Sequence, residues 1–184
     1  MPKSTKLSIE STTMSKTHRM VFLAILATNS LILYIIEGML PVPFVAPGAK
    51  LGLANIITVI SLYLFGFFDT FIVLFVRILL ATLFASLPST FFYSIGGGVL
   101  SLFAMYFAKS IGKENISEVG VSVIGAVFHN IGQMLVASLV VQNINIMVYL
   151  PILMIAGIGT GVFVGLTAKF VLKHWGKLKN LNLH

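Results

Sequence analysis

The chain has no cysteine and a single aspartate, Asp69, in 184 residues. Without cysteine there is no disulfide, no thiolate metal site and no thiol nucleophile. Charged residues make up 9% of the chain, against roughly 25% in a soluble domain. A soluble surface cannot be built from so few charges. No G-x-x-x-x-G-K-[ST] segment occurs, so the chain binds no nucleotide by a P-loop and cannot power its own pumping by that route. Metal-dependent diphosphate chemistry needs clustered carboxylates around Mg²⁺. The close pair here, Glu114 and Glu118, falls in a polar loop. Serine, histidine and aspartate form no recognisable triad. Composition alone therefore predicts no enzyme activity, no metal and no cofactor. The short alternating segments of a β-barrel are missing too.

What is present is apolar sequence, with 58% hydrophobic residues and a mean hydropathy of +1.03. The runs approach the ~20 residues that a spanning helix needs. The expected fold is an all-α integral membrane protein, a six-helix bundle in one membrane domain over residues 19–174. The predicted spans are 20–40, 51–65, 70–87, 90–108, 121–141 and 147–172. A polar tail (1–18) precedes them and a basic tail (175–184) follows. The run after the first tail is too long for a signal peptide and lacks a small-residue cleavage site.

The net charge of +7 lies mainly at the two ends and in one loop, which marks topology and not nucleic-acid binding. Lys3, Lys6, Lys16 and Arg19 precede the first span. Lys109 and Lys113 lie between the fourth and fifth, and Lys169, Lys173, Lys177 and Lys179 end the chain. With six crossings all three groups fall on one side, predicting that both termini are cytoplasmic. Lys50 alone falls outside.

Several polar groups sit at depths where hydrocarbon penalises them. A central arginine costs roughly 2.5–3.5 kcal/mol on insertion scales, so Arg77, mid-way along the third span, is expected to face the interior or water. His129, Asn130 and Gln133 share one arc of the fifth span at about 100° per residue. Asn55 shares a stripe with Gly52 and Thr58, and Glu37 closes the first span. By depth these residues converge on one cavity, suited to an anionic or hydrogen-bonding aromatic solute. The plainer alternative is that Glu37 neutralises Arg77 and the amides tie helices together. Glu37 and Lys50 read equally as an ion pair or as ligand contacts.

Glycines mark packing and loops. Gly157, Gly161 and Gly165 form a small-residue ridge on the sixth span, which lets another helix approach closely. Ala24, Ala27 and Thr28 make a smaller flat patch on the first span, for a partner protein or for the bundle. The stretch Val42 to Thr58, VPFVAPGAKLGLANIIT, combines Pro43, Pro47, Gly48, Gly52, Lys50 and Asn55. It reads as a lid over the cavity, Pro43 to Lys50, followed by its first wall, Gly52 to Thr58.

Three segments carry a resemblance covering residues 20–170: PGAKLGLANI (Pro47 to Ile56) with LYLFG (Leu62 to Gly66); SIGGGVLS (Ser94 to Ser101); and GVSVIGAVFHNIGQ (Gly120 to Gln133) with YLP (Tyr149 to Pro151) and GIGTG. The chain resembles the small bacterial membrane proteins called heptaprenyl diphosphate synthase component I, or Gx transporters. It looks like a substrate-binding S component of an energy-coupling factor (ECF) transporter. That resemblance implies a loop gating the site and an alanine-rich first helix docking on a transmembrane T component. Two cytoplasmic ATPases would supply the energy, in a bacterial plasma membrane. The usual Ala-x-x-x-Ala signature is here Ala24 followed by Thr28. A flavin (FAD, FMN or riboflavin) is the implied solute, other vitamins being compatible. The synthase label conflicts with the missing aspartate-rich Mg²⁺ sites; a membrane accessory role beside isoprenoid or quinone enzymes is the alternative.

Overall fold

The computed structural model describes residues 15–39, 52–84, 89–113 and 115–181. Six α-helices follow in chain order: α1 (Lys16–Met39), α2 (Asn55–Leu64), α3 (Phe67–Phe84), α4 (Ser89–Gly112), α5 (Glu118–Val141) and α6 (Leu150–Leu181), with a 3₁₀ segment (Ile144–Tyr149) before α6. No strand occurs among the described residues. All but α2 are long and apolar enough to cross a membrane.

The helices run past the sequence-derived limits at several ends. Lys109 continues α4 instead of opening the polar loop, α3 starts directly after Gly66, and α6 carries well into the expected basic tail. Their signals are local. The Ser117 hydroxyl caps α5 by accepting from the Gly120 N–H at 3.2 Å, the usual role of serine at that position. Gln142 ends α5 in the left-handed conformation.

The main correction concerns the second span. The expected crossing over 51–65 contains a helix of only 10 residues, about 15 Å long at 1.5 Å per residue, half of a ~30 Å hydrocarbon core. Every residue of it except Tyr63 is buried. A helix surrounded by its own protein has no need to match the bilayer thickness. Its termini have to be met from within, and charged side chains reach both ends.

At the start of α2, the Glu37 carboxylate accepts from the Gly52 N–H at 2.6 Å and the Leu53 N–H at 3.1 Å. Both N–H groups belong to the turn that leads into the helix, where Asn55 and Ile56 N–H donate to the Gly52 and Leu53 carbonyls at 2.8 and 3.0 Å, and an anion there also meets the helix dipole. At the far end, Lys109 Nζ donates to the Leu62 carbonyl at 2.8 Å and lies 4.4 Å from the Tyr63 ring centroid. Gly66 follows with φ +87°, a conformation that glycine adopts without strain. It turns the chain at once into α3.

These contacts also define the ends of the bundle. Arg19, on the first turn of α1, pairs with Asp69 on the first turn of α3, its Nε 3.0 Å from one carboxylate oxygen and its Nη2 on the other. Trp175 of α6 packs edge-on against Phe22 of α1 at 5.8 Å. The start of α1, the end of α2, the start of α3 and the ends of α4 and α6 thus lie together. The basic residues Arg19 and Lys109 mark that end.

Packing between the later helices depends on absent side chains. A Cβ on Gly132 of α5 would stand 2.5 Å from the Gly96 carbonyl oxygen of α4. The Gly157, Gly161 and Gly165 ridge faces α5, where added Cβ atoms would stand 2.6–2.7 Å from Asn130 Nδ2, Val123 Cα and Val119 Cα. The ridge therefore serves packing inside the chain. The core beneath includes Val59, Leu62, Leu74, Ile78, Leu102, Met105 and Val164.

Candidate functional site

The start of α2 opens onto a small, water-sized cavity lined by Tyr34, Glu37, Gly52, Ala54, Asn55, Arg77, Ser94, His129 and Gln133. Each wall follows from helical register. Tyr34 and Glu37 lie one turn apart on the buried face of α1, which continues through Ser30 and Ala27. Arg77 projects from the buried face of α3, shared with Thr70, Val73, Leu74 and Ala81. His129 and Gln133 lie one turn apart on the buried face of α5.

Glycine brings the two halves of the cavity together. A Cβ on Gly97 of α4 would stand 2.7 Å from Gln133 Cγ and 2.9 Å from the His129 carbonyl oxygen. The glycine run in SIGGGVLS thus lets α4 press against α5 where His129 and Gln133 emerge.

Arg77 is 4% exposed. Its guanidinium carbon lies 5.8 Å from the Tyr34 ring centroid, within reach of a cation–π interaction. Its Nε and Nη2 have no hydrogen-bond partner among the described residues, and neither does Nδ1 of the buried His129. A buried polar group left unpaired costs about 1–3 kcal/mol, and these three nitrogens find no partner among the described residues.

Of the residues that the sequence put at this site, Glu37, Asn55, Arg77, His129 and Gln133 meet in the cavity. Asn130 does not. Its amide points to α6 and donates to the Leu153 carbonyl at 2.6 Å, beside Gly157. One residue further along a helix is a turn of about 100°, enough to carry Asn130 from the cavity to the neighbouring helix. Lys50 and the Pro43–Lys50 lid lie outside the described residues. Glu37 accepts with both oxygens from the backbone of the turn before α2, at Gly52 and Leu53. The sequence reading missed Tyr34 and Ser94. Tyr34 had a signal, one turn before Glu37; Ser94 had only its place at the head of the glycine run.

The docking patch divides. Ala27 is buried in the core, while Ala24 and Thr28 are exposed. The Thr28 hydroxyl donates to the Ala24 carbonyl at 2.9 Å, which removes its polarity from the exposed face. That face continues through Val21, Ile25, Ile32 and Ile36.

Apolar helices around a short buried one, with a cavity of unpaired donors at its head, define a helical membrane protein with an internal polar site. The family model for heptaprenyl diphosphate synthase component I matches residues 26–171. The chain belongs to that family, whose members are membrane subunits like the S components of ECF transporters. No curated protein and no solved structure matches the chain.

Proposed function

We propose that this protein is the substrate-binding membrane subunit of an ECF-type transporter and carries a small vitamin-like solute, a flavin being the best candidate. The observation that carries the reading is the group of unpaired buried nitrogens on Arg77 and His129, inside a cavity at the level of the apolar helices. A purely structural arginine in hydrocarbon would be expected to have its donors satisfied. The space between these side chains is only water-sized as the helices stand, so in this reading the walls part to admit the solute.

In this reading the chain crosses a bacterial plasma membrane with both termini cytoplasmic. The basic end formed by Arg19 and Lys109 supports that orientation. The partners are a T component, meeting the exposed face of α1 around Ala24 and Thr28, and two ATPases that power reorientation. The chain is not an enzyme. The family's description favours a second reading, an accessory subunit for prenyl-diphosphate chemistry. Against it, the two carboxylates buried among the described residues are already engaged, Asp69 by Arg19 and Glu37 by the Gly52 and Leu53 backbone.

Native mass spectrometry of the purified protein tests the reading. A retained small solute, lost on Arg77→Ala or His129→Ala, is the expected result. Equal solute uptake by the assembled module with and without this chain would overturn it.

A further inference from the structure

Of the five long apolar helices, α6 is the least buried. Its inner face is the glycine ridge with Val164, Ala168 and Leu172. The outer face carries one stripe of exposed side chains: Ile155, Ile158, Val162, Leu166, Lys169 and Lys173. Steps of three and four residues keep all six on one side of the helix.

The stripe changes character once. From Ile155 to Leu166 it is apolar over about 17 Å at 1.5 Å per residue, close to one leaflet of a ~30 Å hydrocarbon core. Two lysines follow. A leaflet's length of apolar surface that ends in cations matches one phospholipid molecule, with an acyl chain on the aliphatic residues and the phosphate on the lysines.

Depth agrees on separate grounds. Trp175, two residues beyond Lys173, packs on Phe22 at the end of the bundle marked by Arg19. Tryptophan favours the membrane–water interface, and lysine stems lie along apolar surface while their ammonium groups reach the headgroups.

Charge selects the headgroup. Lys169 and Lys173 stand one turn apart, with Cβ atoms roughly 5–6 Å from each other, so both ammonium groups can reach one phosphate. Among the described residues neither is in an ion pair. Glu118, which opens α5 beside the ridge, pairs with neither. A zwitterionic headgroup brings its own cation against the two lysines, and an anionic one does not.

We infer that the Lys169–Lys173 end of α6 holds an anionic phospholipid of the adjoining leaflet, its phosphate between the two lysines and an acyl chain along Ile155, Ile158, Val162 and Leu166. The inference rests on the membrane character of the chain and not on the solute reading, so either can fail alone.

Native mass spectrometry tests it, with the detergent-purified protein titrated with phosphatidylglycerol or phosphatidylcholine of identical chains. The expected result is that the first phosphatidylglycerol binds at least about tenfold more tightly than the first phosphatidylcholine, from two lysines near an anionic group. Lys169→Gln with Lys173→Gln should bring the two lipids close to parity. Lys16→Gln with Lys113→Gln removes the same charge from exposed positions at the same end of the bundle and should keep the preference. Equal binding of the two lipids by wild type, or no lipid bound, overturns the inference, and needs no variant. A preference that survives in the Lys169/Lys173 double variant also overturns it. So does equal loss in both double variants, which would make the attraction a property of the whole basic end and not of this stripe.

Discussion

Glu37 Oε1 accepts the Gly52 N–H at 2.6 Å, so the carboxylate that closes α1 also opens α2 and stands in the cavity wall. Removing it leaves buried N–H groups unpaired, at about 1–3 kcal/mol each. Glu37→Ala should lower the thermal midpoint in detergent, and Glu37→Gln, which keeps an acceptor, should fall between it and wild type. Equal midpoints for Glu37→Ala and wild type would mean that another group meets the Gly52 and Leu53 N–H groups.

The opposite end of α2 predicts a local effect. Lys109 Nζ donates to the Leu62 carbonyl at 2.8 Å, and bonds to charged groups are worth about 1.5–3 kcal/mol. Lys109→Met should speed hydrogen exchange at the turn Leu64–Gly66, with smaller changes in α5. Unchanged exchange at that turn would show that Lys109 is not needed there.

Two glycines should behave in opposite ways. Gly132→Ala forces a methyl to 2.5 Å from the Gly96 carbonyl oxygen, a backbone atom that cannot swing aside. Overpacking of this kind costs about 1–3 kcal/mol or more. Gly159 has nothing within 4 Å of its would-be Cβ, so Gly159→Ala should be neutral or stabilising by up to ~1 kcal/mol through helix propensity. Thermal midpoints of both variants, side by side, check the contrast.

Neighbours on α5 should separate binding from packing. Gln133→Ala, in the cavity wall, should lose the retained solute with little change in midpoint. Asn130→Ala removes the strap to Leu153 and should cost stability on the order of 0.6 kcal/mol, the average for an interhelical hydrogen bond in a membrane protein, while keeping the solute. Loss of solute in Asn130→Ala with an unchanged midpoint would reverse the two assignments.

Arg19 and Asp69 supply a fourth contrast in stability. Asp69 is 1% exposed while the Arg19 side chain is 42% exposed, so the two truncations are unequal. Arg19→Ala strands a buried carboxylate and should lower the midpoint more than Arg19→Lys, which keeps a cation. Identical midpoints for the two would mean that the charge is met by solvent.

Period and depth made most of this legible in the sequence. The buried arcs of α3 and α5 follow from apolar spacing, and Arg77, His129 and Gln133 stood out because hydrocarbon penalises them. What spacing could not convey was partnership. Asn130 and Gln133 look alike on a helical wheel, yet one meets a carbonyl of α6 and the other the cavity. Hydropathy likewise overstated α2, since a helix enclosed by protein and one facing lipid are equally apolar. Only the tertiary satisfaction of its ends, by Glu37 and Lys109, separates the two.

The glycine contact between α4 and α5 has a mechanical consequence. Backbone seated on backbone at Gly96 and Gly132 ties α4 to α5 where His129 and Gln133 emerge. On the binding reading proposed above, the side expected to open is therefore the opposite one, Tyr34 and Glu37 on α1 with the turn at Gly52 and Leu53 that Glu37 holds. If the chain binds solute as proposed, spin labels straddling α4 and α5 should keep one separation with and without it, whereas a pair spanning α1 and α5 should report two.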